Sequence, residues 1–236
     1  MKTLLVLLTA GKLGKFLLTG GSMLLSVFTY ALVFGWRYAA GFVGLLFVHE
    51  MGHFLAARQR GLKVGAPTFI PFVGAWIQLK EQPLDAETEA FIGIAGPMLG
   101  SAAAFVCYLL ALDSGNSMLF ALSYAGFIIN LFNLVPITPL DGGRIVSVIS
   151  PRIWLLGIPM LILLFLWSRS PLLLLICIVA IPQAWRMLRD RNAIESAYYR
   201  APANVRYQYA FQYLALAALL SVMAFEVHET LSLKHL

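Results

Sequence analysis

The 236 residues are 60% hydrophobic and only 12% charged, with a mean hydropathy of +0.82; a soluble domain carries about a quarter charged residues and cannot hide this much apolar surface at this length. The net charge of +6 raises the question of nucleic acid, but the basic residues are not clustered with aromatics on one polar face, so no nucleic-acid partner is expected. Apolar runs of about 20 residues, enough to cross roughly 30 Å of hydrocarbon, recur from end to end and place the chain in a lipid bilayer as an all-α multi-pass membrane protein of about six or seven transmembrane helices.

The opening Met1 to Ala10 carries Lys2 and an apolar run like that of a signal peptide. Lys12 and Lys15 follow it with no small-residue cleavage pattern, so it is expected to be retained. Apolar runs bounded by charges, Pro or Gly then predict spans at about 16–36, 38–60, 89–112, 117–135, 152–168, 171–186 and 208–225. The last of these could instead lie along the membrane surface. Between the second and third spans, Val64 to Lys80 is rich in β-branched and aromatic residues and broken by Gly65, Pro67, Pro71 and Gly74. It is too short and too interrupted to span, which predicts a re-entrant hairpin or strand pair, with an ordinary cytoplasmic loop as the alternative. Cys107 and Cys177 both fall inside apolar runs, so no disulfide and no cysteine chemistry is expected.

With the N-terminus cytoplasmic, only Arg37, Arg169 and Lys234 of the 17 basic residues fall outside. That asymmetry orients the chain under the positive-inside rule.

The second span ends GLLFVHEMGHFLAARQRG, which sets His49 and His53 four residues apart on one helix. A 3.6-residue turn brings such a pair onto one face, where both imidazoles reach one metal ion. Glu50, one step round, reaches a water on that metal. This is the HExxH arrangement of two zinc-binding His and a general-base Glu. Ionisable residues within an apolar span are costly and point to function. A polar cluster that only packs helices together is the competing explanation, but packing does not need a carboxylate between two imidazoles.

Catalytic zinc takes three protein ligands and keeps one open position, so a third ligand is required. His228 and His235 lie near the C-terminus, beyond the last predicted span. Glu81, Asp85, Glu87, Glu89, Asp113, Asp190, Glu195, Glu226 and Glu229 fit loops, helix ends or the tail, and Asp141 is the exception. It lies in NLFNLVPITPLDGGRI just after the fourth span, where Pro136 and Pro139 end the helix and Gly142 and Gly143 allow a tight turn. An Asp-Gly turn without metal, or a thiolate from Cys107 or Cys177, are the alternatives. Asp141 and His53 both fall at the cytoplasmic ends of their spans and are expected to meet at one depth.

HEMGH on a transmembrane helix, together with Asn133, Pro136, Pro139, Asp141 and Gly142 in the pattern N-x-x-P-x-x-P-x-D-G, resembles the site-2 proteases, a family of intramembrane zinc metalloproteases. The resemblance covers about residues 38–150 and includes GIAGPMLG at 93–100. It implies one Zn2+ per chain held by His49, His53 and Asp141, with Glu50 activating a zinc-bound water and Asn133 helping to hold the substrate or its oxyanion. Asn130 fits a hydrogen bond to a neighbouring helix, and Gly96 and Gly100 fit close helix packing. The implied substrates are membrane proteins or peptides cut in or near a transmembrane segment, with room for a regulatory membrane partner. The organisation expected is a single transmembrane protease domain over 1–236, with the motifs in 38–150 and C-terminal helices and tail in 151–236. The expected setting is the cell membrane of a prokaryote, with the active site towards the cytoplasmic side. A membrane zinc transporter and a non-proteolytic scaffold are the alternatives, weakened by spans nearly free of other ionisable groups and by the intact Glu50.

Overall fold

The structure, a computed structural model, describes residues 2–72, 74–79, 81–189 and 196–234. Val73 and Lys80 of the expected hairpin, together with Asp190, Arg191, Glu195 and His235, lie outside the described residues. The helices are α1 (Lys2–Phe34), α2 (Trp36–Gln59), α3 (Ala86–Ser114), α4 (Ser117–Asn133), α5 (Asp141–Ile149), α6 (Trp154–Ser168), α7 (Pro171–Arg189) and α8 (Ala203–Lys234). Short 3-10 turns occupy Pro151–Ile153 and Ala197–Tyr199. A strand pair, β1 (Val64–Ile70) and β2 (Gly74–Leu79), joins α2 to α3.

Among the described residues, four stretches are long and apolar enough to cross a membrane: Trp36–Gln59, Ala86–Ser114, Pro151–Ser168 and Ala203–Leu233. Leu18–Phe34, Ser117–Asn133 and Pro171–Pro182 are shorter apolar helices. Leucines along α6 and α8, such as Leu156, Leu163, Leu214 and Leu219, stand more than half exposed. Apolar surface on that scale has no place in water. The chain is an integral membrane protein built of helices.

Each predicted span coincides with a helix, but several helices run further than hydropathy indicates. α1 begins at Lys2, so the opening apolar run and the first span are one helix. α8 continues nine residues past 225 through EVHETLSLK, whose polar side chains end the apolar pattern without ending the helix. His228, beyond the last predicted span, therefore lies inside α8, its ring 5.7 Å from that of Tyr124 on α4. α5 is absent from the spans because it is nine residues long and carries two glycines in its first turn.

α3 is the central element, packed against α2, α4, α5 and α8. Asp85 caps its start by accepting a hydrogen bond from the Thr88 amide at 2.7 Å, and Glu87 and Glu89 place negative charge in its first turn. Gly115 ends it with φ +66°, a left-handed position that a side chain would strain. Asn116 then caps α4 through the Met118 amide at 2.9 Å, so the α3–α4 connection needs only two residues.

The hairpin pairs Phe69 with Ala75 and Ile70 with Gly74 in antiparallel register, with an irregularity between Val64 and Pro67. Its outer strand is fastened to α1: Thr19 donates to the Pro67 carbonyl at 2.7 Å, and the Phe69 amide donates to Ser22 Oγ at 3.2 Å. The Phe72 amide donates to the Tyr30 hydroxyl at 3.0 Å. At the open end, Lys63 Nζ lies 2.8 Å from Glu81 Oε1. Their hydrogen bond holds the Lys63 amine above and the Glu81 carboxyl below their ordinary values. Both side chains are solvent-exposed, so screening leaves the pair a minor stabiliser.

Candidate metal centre

His49, Glu50 and His53 occupy the last three turns of α2 and are all buried, as is Asp141 at the first position of α5. The structure brings His49, His53 and Asp141 together: one ligand atom from each lies within 4.8 Å of the others. His49 Nε2 is 3.2 Å from Asp141 Oδ2, His53 Nε2 is 3.2 Å from Asp141 Oδ1, and the two Nε2 atoms are 3.1 Å apart.

The outward nitrogens decide what those inner atoms are. His49 Nδ1 is 2.8 Å from Asn130 Oδ1, and the amide nitrogen of Asn130 is itself committed to the Gly126 carbonyl at 2.7 Å. The oxygen is thereby assigned as the acceptor, and His49 Nδ1 must donate. His53 Nδ1 lies 2.7 Å from the Ile92 carbonyl, which can only accept, so it donates as well. In neutral rings both Nε2 atoms then carry lone pairs, aimed at each other and at a carboxylate. A buried set of acceptors alone is repulsive. A divalent cation resolves it, and two imidazoles with one carboxylate suit zinc with an open position left for water.

Glycines make this geometry reachable. A Cβ on Gly52 would fall 2.3 Å from the Ala95 carbonyl oxygen, so α2 and α3 touch backbone to backbone. A Cβ on Gly96 would fall 2.2 Å from His53 Nε2, and one on Gly100 would fall 2.5 Å from Asn130 Oδ1. The small-residue stripe of α3 is therefore a packing surface, as expected, but what packs into it is His53 and the partner of His49. Gly142 and Gly143 also act by close approach. Both have helical backbone, and a Cβ on either would strike the loop at 134–138 that wraps over the start of α5. The expectation that they supply turn conformations is corrected: Asp141 opens a helix.

That loop, together with the first turn of α5 that it covers, is held from the other side. Tyr213 on α8 donates to the Leu134 carbonyl at 2.5 Å, and Trp154 Nε1 donates to the Gly143 carbonyl at 2.7 Å. The Thr138–Pro139 peptide within it is cis.

His49, Glu50, His53 and Asp141 face a cavity of about 340 Å³. Asn133 lines it at the end of α4, and Gly74, Ala75 and Ile77 line it from β2. Asn130, Ile92 and Arg144 are site residues that the motifs did not single out. Asn130 was expected to bond a neighbouring helix, and it does, but the group it holds is His49. A backbone carbonyl such as that of Ile92 has no sequence signal. Glu89, grouped with helix-end acids, lies 3.8 Å from Arg144 Nε and accepts from the Tyr198 hydroxyl at 2.6 Å. Burial and that carboxylate push the Tyr198 hydroxyl well above its ordinary range.

A buried His-His-carboxylate group with an adjacent glutamate, held among apolar helices, defines the class: a membrane-embedded metal-centre protein of the HExxH kind. The sequence profile of Peptidase family M50 matches residues 37–125. MJ0611 of Methanocaldococcus jannaschii is 32% identical over 143 residues, covering 50% of this chain and 72% of that protein. The chain belongs to peptidase family M50. The zinc metalloprotease MJ0392 of the same archaeon is 33% identical over 117 residues, 46% of this chain and 34% of the relative. The chloroplastic EGY1 of Arabidopsis thaliana is 32% identical over 156 residues, 46% of this chain and 28% of the relative. The chain thus spans about a third of the length of these two relatives. A solved site-2 protease from Methanocaldococcus jannaschii covers 76% of this chain and 87% of its own, at 21% identity and a TM-score of 0.45; family membership rests on the sequence matches.

Proposed function

We propose that the chain is an intramembrane zinc metalloprotease that hydrolyses peptide bonds in or near transmembrane segments of membrane proteins. The observation that carries this is the convergence of His49, His53 and Asp141 beside Glu50 in one cavity among apolar helices. His49, His53 and Asp141 are the zinc ligands, and Glu50 is the general base. Bound zinc supplies Lewis acidity towards a water and the scissile carbonyl, lowering the water's pKa towards about 7.

Glu50 accepts the water's proton and delivers it to the leaving amine. Asn130 and the Ile92 carbonyl keep both Nε2 lone pairs directed inward throughout. Asn133, at the cavity wall, orients the substrate. A helical substrate must unwind before its carbonyls are accessible, and the cavity-facing edge of β2 receives the unwound stretch as an added strand. α1 occupies the other edge of the sheet through Thr19 and Ser22, which supports β2 as the receiving edge.

The chain acts as one transmembrane domain, with seven crossings supplied by α1 to α4 and α6 to α8. Placing all but Arg37, Arg169 and Lys234 of the 17 basic residues inside supports a cytoplasmic N-terminus, and the likeness to the archaeal MJ0611 supports a prokaryotic cell membrane as the setting. His53 is six residues from the end of α2, so the site lies about 9 Å in from that helix end, towards the cytoplasm.

The test is the Glu50→Gln variant, purified and assayed for bound zinc and for cleavage of a membrane-embedded single-span reporter. Zinc retained with cleavage abolished is the expected result, and undiminished cleavage would sink the role of Glu50. Asp141→Ala should lower zinc retention.

A further inference from the structure

Arg144 is the one Lys or Arg among the described residues lining the cavity. It stands one turn after Asp141 on α5, its side chain 20% exposed, with a carboxylate on either side: Nε is 3.8 Å from Glu89 Oε1 and Nη1 is 4.0 Å from Asp141 Oδ1. Both separations suit charge attraction and both exceed hydrogen-bond length. A guanidinium offers five N–H donors in a rigid fork, and among the described residues none of them is spent on a hydrogen bond. The side chain is largely withdrawn from solvent, yet none of its nitrogens is among the buried unpartnered atoms, so its donors are open to an acceptor that enters the cavity.

The fork is nonetheless bracketed by the two carboxylates. Glu89, on α3, is oriented by the Tyr198 hydroxyl, and Gly93 leaves room for the root of the Arg144 side chain, since a Cβ there would lie 3.0 Å from Arg144 Cβ. Arg144 is thus an oriented cation with unspent donors, beside the metal ligands and facing the space that a substrate enters. The acceptor that a peptide substrate brings to that space is a main-chain carbonyl oxygen.

We propose that Arg144 is a catalytic residue that donates a hydrogen bond to the carbonyl oxygen of the reacting peptide, a bond that strengthens as that oxygen gains negative charge. Glu89 and Tyr198 are its positioning residues. This rests on the proteolytic function proposed above. Donors aimed at developing charge typically contribute about 100- to 1,000-fold to turnover.

The experiment compares wild type, Arg144→Gln, Arg144→Lys and Tyr198→Phe in detergent with a fluorogenic single-span reporter peptide. Zinc content and the affinity for a peptide phosphinate, an anionic mimic of the tetrahedral water adduct of the reacting carbonyl, are measured in parallel. In Arg144→Gln, turnover and phosphinate affinity should each fall about 100-fold, with KM within about threefold and zinc still at one per chain. Arg144→Lys should recover part of the loss, and Tyr198→Phe should cost roughly fivefold through a looser Glu89. Turnover within threefold of wild type in Arg144→Gln overturns the proposal, as does zinc loss in step with activity. Should both Arg144 variants fail to fold, unchanged turnover in Tyr198→Phe overturns it. A wild-type protein that cleaves no reporter sinks the proteolytic function instead.

Discussion

At the scale of single residues, the groups that hold the site are as consequential as those that form it. Asn130 accepts from His49 Nδ1 and is itself anchored on the Gly126 carbonyl. Asn130→Ala should therefore weaken zinc binding by about 10- to 100-fold, measured by competition with a calibrated chelator; unchanged affinity would show that His49 is oriented by something else. Gly96→Ala places a methyl 2.2 Å from His53 Nε2. It should lower stability by about 1–3 kcal/mol through overpacking and reduce zinc retention as well, read from thermal melting with and without added zinc. HExxH was legible because a helical period places positions i and i+4 on one face, a rule that needs no tertiary information. Asn130, the Ile92 carbonyl and the Glu89–Arg144–Tyr198 group were not legible as site residues, because each depends on how α2, α3, α4 and α5 cross.

At the scale of elements, hydropathy put a span on each α-helix of 15 residues or more among the described residues, and four of those stretches are long and apolar enough to cross a membrane, since a bilayer imposes a length and a composition that a local sequence must display. It could not locate α5, whose nine residues are too few to span and whose glycines argue against a helix. Those glycines are explained only by the loop that presses on them. The hairpin was legible from its β-branched and aromatic run, but its attachment to α1 was not. Ser22→Ala removes the acceptor for the Phe69 amide. Loss of about 1 kcal/mol of local protection should speed amide exchange at Phe69 roughly fivefold while leaving α3 protection unaltered; equal exchange in both proteins would mean that α1 does not hold the strand.

At the scale of the whole molecule, orientation can be tested at the end of α8. The 31 residues from Ala203 to Leu233 extend for about 46 Å at 1.5 Å per residue, more than the roughly 30 Å of a bilayer core. In a background with Cys107 and Cys177 replaced by Ala, an impermeant thiol reagent added outside intact cells should label Ser232→Cys and spare Gln59→Cys. Labelling of both from one side would place α8 on the membrane surface. The seam between α2 and α3, where Gly52 meets the Ala95 carbonyl with no side chain between them, sets a mechanical limit on the assembly. Two backbones in contact can neither rotate nor slide without collision, so this pair behaves as a stator. Under the proposed function, an opening that admits a substrate segment would have to come from elements other than this pair, and His49, Glu50 and His53, which ride on α2, would keep their places.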